Sequence, residues 1–530
     1  PLWCSVDLRD GNQALEVPMN LDQKLEFFKF LVELGFKTIE IGFPAASETD
    51  YNFCRYLIDN NLIPDDVAIQ VLTQSREHII SKTMDAVYGA PKAVIHLYNS
   101  TSTLQRDVVF GFDQDQCVEL AVDGARMIKE YIDSARGDTE YILEYSPESY
   151  SSTEPDFAVR ICDAVLDVWQ PTKENKAIIN LPETVEYTLP NVYADMIEYF
   201  CKNTRWRDKM IVSVHTHNDR GTAVAASELG MLAGADRVEG TLFGNGERTG
   251  NLDIVTVALN MFSEGVDPEL DFSNLPEIAD AYQEFTKMDI PPRTPYAGGL
   301  AYTALSGGHQ DAIAKGLAAR AKMDEGAIWD VPYILIDPHD IGRKYEGIIR
   351  INSQSGKGGS SFILEHNYGY AIPKAMQPAI GDLIKAESDK AQRELQPEEI
   401  LKFFERQWIT NRARFSVVDF ASTQLESSKE SGSVEHVSCR GVVRIDGEQV
   451  SIGGIGNGPL DAFVSALSST KAPKFNITAF HEHSLGQGSD TSAVAYVQIT
   501  TEDGKKFWGV GKSSNVGRAG IEAVVSALNQ

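Results

Sequence analysis

Between Trp3 and about Gly244, short β-rich runs alternate with longer helical ones, and this rhythm constrains the fold more than any other feature of the chain. The strand-like runs are Trp3 to Arg9, Thr38 to Phe43, Ala68 to Thr73, Ala93 to Tyr98, Tyr141 to Tyr145, Ala177 to Leu181, Met210 to His217 and Arg237 to Phe243. Between the first two, Leu21, Leu25, Phe28, Leu31 and Val32 recur at helical spacing, with Asn20 placed to cap the start and Gly35 to end the helix. Ala223 to Ala233, closed by Gly234, repeats the pattern before the last run. Eight such alternations in roughly 250 residues predict an α/β fold of the (β/α)8 TIM-barrel type, because open doubly wound sheets usually have fewer strands. The chemistry of such a barrel sits at the C-terminal ends of its strands.

Successive side chains of a strand alternate faces, so Ser213, His215 and His217 point one way while Val212 and Val214 point the other. A lone histidine is more often a hydrogen-bonded core residue, but two converging where a strand opens into Asn218-Asp219 predict a divalent-metal site. Strand one closes against strand eight in a barrel, which makes Asp10 the nearest carboxylate. Two imidazoles and one carboxylate leave coordination positions open for a substrate. Asp10 could equally form an ion pair with Arg9 or another basic group. The other strand ends offer His96, Ser146-Pro147-Glu148, Pro182-Glu183-Thr184 and the glycine-rich run Gly244 to Asn251. That last loop would either receive phosphate groups or simply be a turn that positions Asn251.

At 530 residues the chain is too long for one ordinary core. After about Gly265 the alternation stops: Leu275 to Met288, Ala312 to Lys322 and Ala379 to Ile409 read as mostly helical, separated by loops such as 330–340 and 353–361, with Lys357 in a hairpin loop. Ser427 to Ser433 is short, polar and suited to a linker. Beyond it, strand-like Val434 to Ile452 leads through a glycine-rich turn to Leu460 to Leu467, and Ala493 to Val510 leads through another to Ala519 to Leu528. Val464-Ser465-Ala466-Leu467 echoes Val525-Ser526-Ala527-Leu528, so a C-terminal α+β domain of duplicated ββα-like units is expected. Gly458-Pro459 fits a helix start. The expected domains are therefore a barrel over 1–265, a helical connecting region over 266–426 and the α+β domain over 427–530. Gly509 to Ser513 looks like part of a phosphate loop, but Lys506 stands where its first glycine belongs, which excludes a nucleotide-binding reading.

A formal charge of −28 argues against nucleic-acid binding and against an anionic membrane surface, so an anionic substrate needs local devices such as a metal or an arginine. No run approaches the roughly 18 apolar residues of a membrane span. The six cysteines show no metal-finger spacing and read as reduced packing residues, which suits the cytoplasm, or a mitochondrial matrix in a eukaryote. The chain opens at Pro1 without an initiator methionine, so a lost N-terminal piece is expected.

Leu8-Arg9-Asp10-Gly11-Asn12-Gln13, His215-Thr216-His217-Asn218-Asp219 and Gly246-Glu247-Arg248-Thr249-Gly250-Asn251 together resemble the metal-dependent Claisen-condensing barrels. The resemblance is nearest to the 2-isopropylmalate synthase family; homocitrate and citramalate synthases usually carry glutamate where Asn12 stands. Ser306 to Lys315, Asn352 to Gly359 and the C-terminal domain extend it over essentially the whole chain.

The resemblance implies condensation of acetyl-CoA with 3-methyl-2-oxobutanoate. Asp10, His215 and His217 would hold a divalent ion (Mg, Mn or Zn), with Asn251 near or in its shell. Arg9 would stabilise developing oxyanion character. His96, Ser146 and Thr184 would surround the ketoacid, and Glu148 would act near the acetyl methyl group. Deprotonating that methyl group needs a base. The resemblance points to His309, with Tyr333, supplied by the partner subunit of a homodimer; the sequence by itself favours a solvent-facing helix start for His309. It also implies L-leucine as an inhibitor. A glycine-rich turn at Gly454, Gly456 and Asn457 would present N–H groups to its carboxylate, or else be a tight turn beside a packed helix. Homocitrate or citramalate synthesis, a non-catalytic amino-acid sensor and a two-histidine, one-carboxylate oxygenase stand as alternatives.

Overall fold

The computed structural model describes residues 1–134, 137–304, 306–324, 326–345, 359–391, 395–425, 436–486 and 491–530. They form two compact units, Pro1–Tyr302 with Ile336–Lys344, and Thr303–Leu335 with Tyr345–Gln530. Among the described residues no helix is long and apolar enough to cross a membrane.

The first unit is a closed barrel of parallel strands β1 (Leu2–Ser5), β2 (Thr38–Gly42), β3 (Ala68–Gln74), β4 (Lys92–Ser100), β5 (Glu140–Glu148), β6 (Ala177–Glu183), β7 (Met210–Thr216) and β8 (Arg237–Gly240). It closes in register through β1 and β8, with Ser5 opposite Gly240. Helices α1 (Leu21–Glu33), α2 (Glu48–Asp59), α3 (Glu77–Val87), α4 (Gln114–Ser134), α5 (Pro155–Trp169), α6 (Pro190–Asn203), α7 (Ala223–Leu232) and α8 (Ile254–Ser263) alternate with the strands, and α9 (Leu275–Thr286) follows. The expected cap on α1 is present: the Asn20 side chain accepts from the Gln23 N–H, and Gln23 reaches back to the Asn20 N–H.

Several strand ends differ from the sequence reading: β6 runs on to Glu183, β8 stops at Gly240 rather than Phe243, and two further differences bear on the site. The first run leaves the sheet at Ser5, and Asp7–Gly11 forms a π-helical turn, so Arg9 and Asp10 project from a turn rather than a strand. The Asp7 carboxylate holds that turn by accepting the Leu242 N–H just beyond the end of β8. Strand β5 runs on to Glu148, placing Ser146 and Glu148 within the strand.

The period-two rule builds the barrel interior in layers. Ala68, Val94, Ile142, Ile178 and Ile211 form an apolar plug. Two residues further along the same strands, Gln70, His96, Glu144, Asn180 and Ser213 face inward as a polar layer. His215, two residues beyond Ser213, begins the rim.

In the second unit, α10 (Gly307–Arg320), α11 (Gly359–Tyr368), α12 (Gln377–Ala391) and α13 (Pro397–Phe404) precede two three-stranded antiparallel sheets. The first contains β9 (Phe415–Leu425), β10 (His436–Ile445) and β11 (Glu448–Gly456), followed by α14 (Pro459–Leu467). The second contains β12 (Phe475–Leu485), β13 (Ser492–Thr501) and β14 (Lys506–Ser513), followed by α15 (Val516–Leu528). Each repeat thus has one strand more than the sequence echo revealed. Strand β9 lies upstream of residue 427; its face is only partly apolar, so no periodicity marks it, yet Phe415, Val417 and Phe420 join the core of this unit. Alternate residues of β13 serve two cores: Ala493, Ala495 and Val497 pack with α15, and Val494 and Tyr496 with α11 to α13. The linker expected at Ser427 to Ser433 and the loop position of Lys357 lie outside the described residues, except that Gly359 already begins α11.

Candidate metal and substrate site

At the C-terminal mouth of the barrel, Arg9, Asp10, His96, Ser146, Glu148, Thr184, His215 and His217 line one cavity of about 280 Å³. Gln13, Phe43, Leu72, Tyr98, Asn180, Pro182, Glu247 and Arg248 complete its wall. The Asp10 Oδ2 atom lies 3.4 Å from His215 Nε2 and 3.7 Å from His217 Nε2, and the two Nε2 atoms are 3.4 Å apart. All three side chains are buried. Asp10 Oδ2, His217 Nδ1 and Asn251 Oδ1 are buried with no hydrogen-bond partner among the described residues. Such orphaned atoms are costly unless something binds them. Three converging N and O donors at this spacing fit one divalent ion.

Electrostatics supports that fit. Asp10, Glu40, Glu144 and Glu239 face Arg9 and Arg237 in the barrel interior, so four carboxyl groups meet two guanidinium groups. Burial pushes the Glu144 carboxyl up to about 8, with Glu239 adding to it against the pull of Arg237. Burial also opposes ionisation of Asp10, but Arg9, His215 and His217 hold its carboxyl well below the usual carboxylate range. The two imidazoles are driven apart. Against burial, Asp10 and Glu239 raise His215 to about 9, whereas burial and the neighbouring His215 lower His217 to about 4.

Behind these donors stands a network that the sequence reading did not include. His215 Nδ1 lies 2.9 Å from Glu239 Oε2. A carboxylate only accepts, so Nδ1 carries the hydrogen, and Nε2 is the nitrogen that would give up its proton and offer its lone pair to an ion. Glu239 is held in turn by Gln70, Asn180 and Arg237. Arg9 donates through Nε to Glu40 at 2.5 Å, and its Nη1 lies 3.3 Å from Asp10. Glu40 also accepts from His96 Nδ1 at 2.7 Å, while His96 Nε2 lies 2.7 Å from the Ser146 hydroxyl. The signal for Glu40, Glu144 and Glu239 was present: each acid directly follows an Ile, Leu or Val inside a β-rich run, in Ile39-Glu40-Ile41, Leu143-Glu144-Tyr145 and Val238-Glu239-Gly240. A charge there must face the barrel axis.

Asn251 does not line the cavity, but its backbone bridges His217 and its Nδ2 donates to the Asn245 carbonyl. The glycine-rich loop before it is a tight turn. A Cβ on Gly250 would lie 2.0 Å from the Gly244 carbonyl oxygen, and one on Gly246 would lie 2.2 Å from Asn251 Nδ2. Glu148 accepts a short hydrogen bond from Ser100, and Thr184 accepts from the Ser149 N–H.

The remaining predicted residues belong to the second unit. His309, at the start of α10, stacks on Tyr333 with ring centroids 3.9 Å apart, and both are exposed. Gly454 and Gly456 lie within β11, not in a turn: a Cβ on either would come within 2.4 Å of the backbone of α14. Asn457 follows, and its N–H donates to the Asp461 carboxylate.

Three family models match successive parts of the chain: HMGL-like over residues 1–281, the alpha-isopropylmalate synthase post-catalytic domain over 299–365, and the LeuA allosteric (dimerisation) domain over 394–530. The chain is similar to the 2-isopropylmalate synthase of Clostridium acetobutylicum, with 55% identity covering 100% of this chain and 94% of that protein. The corresponding enzyme of Acetoanaerobium sticklandii is 52% identical over 100% of this chain and 92% of its own length, and that of Helicobacter hepaticus 50% identical over 100% and 94%. Likeness of this depth runs unbroken from the barrel through both later domains, and the chain belongs to the 2-isopropylmalate synthase family.

Proposed function

We propose that this chain condenses acetyl-CoA with 3-methyl-2-oxobutanoate and hydrolyses the thioester, releasing 2-isopropylmalate and CoA. The observation that carries this reading is the buried Asp10–His215–His217 cluster, open to a cavity beside Arg9. A divalent ion held by Asp10, His215 and His217, with Asn251 close by, supplies Lewis-acid polarisation of a 2-oxoacid and fixes its orientation. Magnesium, manganese and zinc all suit such donors.

The chain's own groups supply the rest. Arg9, braced by Glu40, directs a guanidinium toward oxygen that gains negative charge. Ser146, His96 and Thr184 orient the ketoacid, and Phe43, Leu72 and Pro182 accept its branched alkyl group. Both cations of the wall are already paired, Arg9 with Glu40 and Arg248 with Asp219, which disfavours an acid with a second carboxylate such as 2-oxoglutarate. Glu148 acts beside the acetyl methyl group. His309, assisted by Tyr333 and contributed by the partner subunit of a homodimer, serves in proton removal. The C-terminal repeats around Gly454, Gly456 and Asn457 carry inhibition by L-leucine. The cytoplasm, which suits the unpaired cysteines, is the setting.

Release of CoA from acetyl-CoA, measured with a panel of 2-oxoacids, tests the substrate. The highest kcat/KM is expected with 3-methyl-2-oxobutanoate; higher values with pyruvate or 2-oxoglutarate would assign the chain to citramalate or homocitrate synthesis.

A further inference from the structure

A lysine is completely buried on the apolar face of α1. Its neighbours on that face are Phe27, Phe28 and Leu31, and Lys24 has no exposed surface. The Lys24 ammonium has three hydrogens, and each has an acceptor: the Leu8 carbonyl at 3.0 Å, the Ile41 carbonyl at 3.0 Å and Asp50 Oδ1 at 2.5 Å. Leu8 lies in the π-helical turn immediately before Arg9, and Ile41 follows Glu40 in β2. One cation therefore joins the backbone beside Arg9 to the backbone beside Glu40, the residue that braces Arg9. Asp50 extends the clamp. Its second oxygen accepts the N–H of Phe43, a residue of the cavity wall, and its carboxyl group occupies the space over Gly42, where a Cβ would meet Asp50 Cγ at 2.5 Å.

We infer that Lys24 is a positioning residue, which fixes the turn carrying Arg9 and Asp10 against β2 and so sets the place of both side chains in the cavity. Lys24 does not line the cavity and touches no reacting group. Burying a charge is costly, and a well-packed apolar side chain of the same length usually contributes at least as much to stability. What the apolar chain cannot do is hold two carbonyls from different segments at a fixed distance. Within the turn, Leu8 is tied by Lys24, Asp7 by the Leu242 N–H, and Gly11 by the Asn245 amide, so Arg9 and Asp10 stand on a segment anchored at three points, by α1 and by the segment after β8.

The inference rests on the metal reading of the Asp10 cluster, and Mn²⁺ titration of the full chain separates the two. Absence of Mn²⁺ binding by the unmodified chain would defeat that reading and this inference with it. Given binding, Lys24→Met is expected to raise the Mn²⁺ dissociation constant at least tenfold and to lower kcat more than tenfold, with KM for acetyl-CoA changed less than twofold. Leu31→Ala, a buried truncation further along α1, should lower the melting temperature while leaving the Mn²⁺ constant and kcat within twofold. Mn²⁺ affinity and kcat of Lys24→Met that stay below those changes, or that match the Leu31→Ala values, would overturn the positioning role. Should Lys24→Met fail to fold, Lys24→Gln takes its place: its shorter amide donor should raise the Mn²⁺ constant more than twofold, and a smaller change would overturn the inference.

Discussion

His215 Nδ1 and Glu239 Oε2 lie 2.9 Å apart on the adjacent strands β7 and β8, whose register sets these residues side by side. That bond fixes the tautomer in which Nε2 faces Asp10. Outer-sphere partners of this kind typically tune metal affinity by about 10- to 100-fold. Glu239→Gln keeps the shape but removes the charge, and is expected to weaken divalent-ion binding at least tenfold. Competition with a fluorescent chelator measures it; unchanged affinity would mean that His215 is oriented by packing alone.

Arg9→Lys tests the oxyanion role. Lysine offers one compact charge in place of the fork that reaches Glu40 through Nε and lies beside Asp10 through Nη1. Loss of a positioned donor costs about 10²- to 10³-fold in kcat. Steady-state kinetics should show that loss, with metal affinity changed only a few-fold.

Much of this architecture is legible in the sequence, for physical reasons. Eight alternations of β-rich and helical runs forecast the barrel, and the spacing of His215 and His217 forecast their shared face, because period two is a property of any strand. The end of strand β1 was not legible. Asp7 to Gly11 has no apolar period of its own and forms a turn only because Asp7 finds a partner at Leu242, just beyond β8, and Lys24 joins the turn to β2. The brace of Glu40, Glu144, Glu239 and Arg237 was legible only in part: acids beside Ile, Leu and Val mark charges inside β-strands, but which of them pair is set only once the barrel has closed around them. Gly454 and Gly456 illustrate the reverse error, since glycines close in sequence suggest a turn while the structure uses them to seat α14 directly on β11.

That seating is repeated. Gly509 and Gly511 on β14 lie beneath α15, where a Cβ would come within 2.1 Å of the Ala523 carbonyl oxygen and 2.0 Å of the Ala519 carbonyl oxygen respectively. Overpacking of this kind costs about 1–3 kcal/mol or more. Gly511→Ala should therefore lower the unfolding midpoint of the second unit, followed by circular dichroism of the full chain, while metal affinity at the barrel stays unchanged.

Asp7 makes stability depend on pH. Burial pushes its carboxyl up to about 7, although Ser5 and the Leu242 N–H favour the ionised form. Its unfolded value is near the ordinary 3.8. The folded state thus binds the proton more tightly, and the stabilisation is complete below about pH 4 and is lost as pH rises to about 7. Asp7→Asn cannot ionise. Urea unfolding at a series of pH values should show the stability of the unmodified chain falling relative to Asp7→Asn across that window and running parallel above it.

On the proposed function, condensation depends on a divalent ion held by Asp10, His215 and His217. The direct measurement is CoA release from acetyl-CoA, with and without 3-methyl-2-oxobutanoate, before and after chelation, for the unmodified chain and Asp10→Asn. Release that requires both ketoacid and divalent ion, is restored by adding the ion back, and falls at least 100-fold in Asp10→Asn is the predicted result. Release that persists after exhaustive chelation, or that survives Asp10→Asn undiminished, would contradict it.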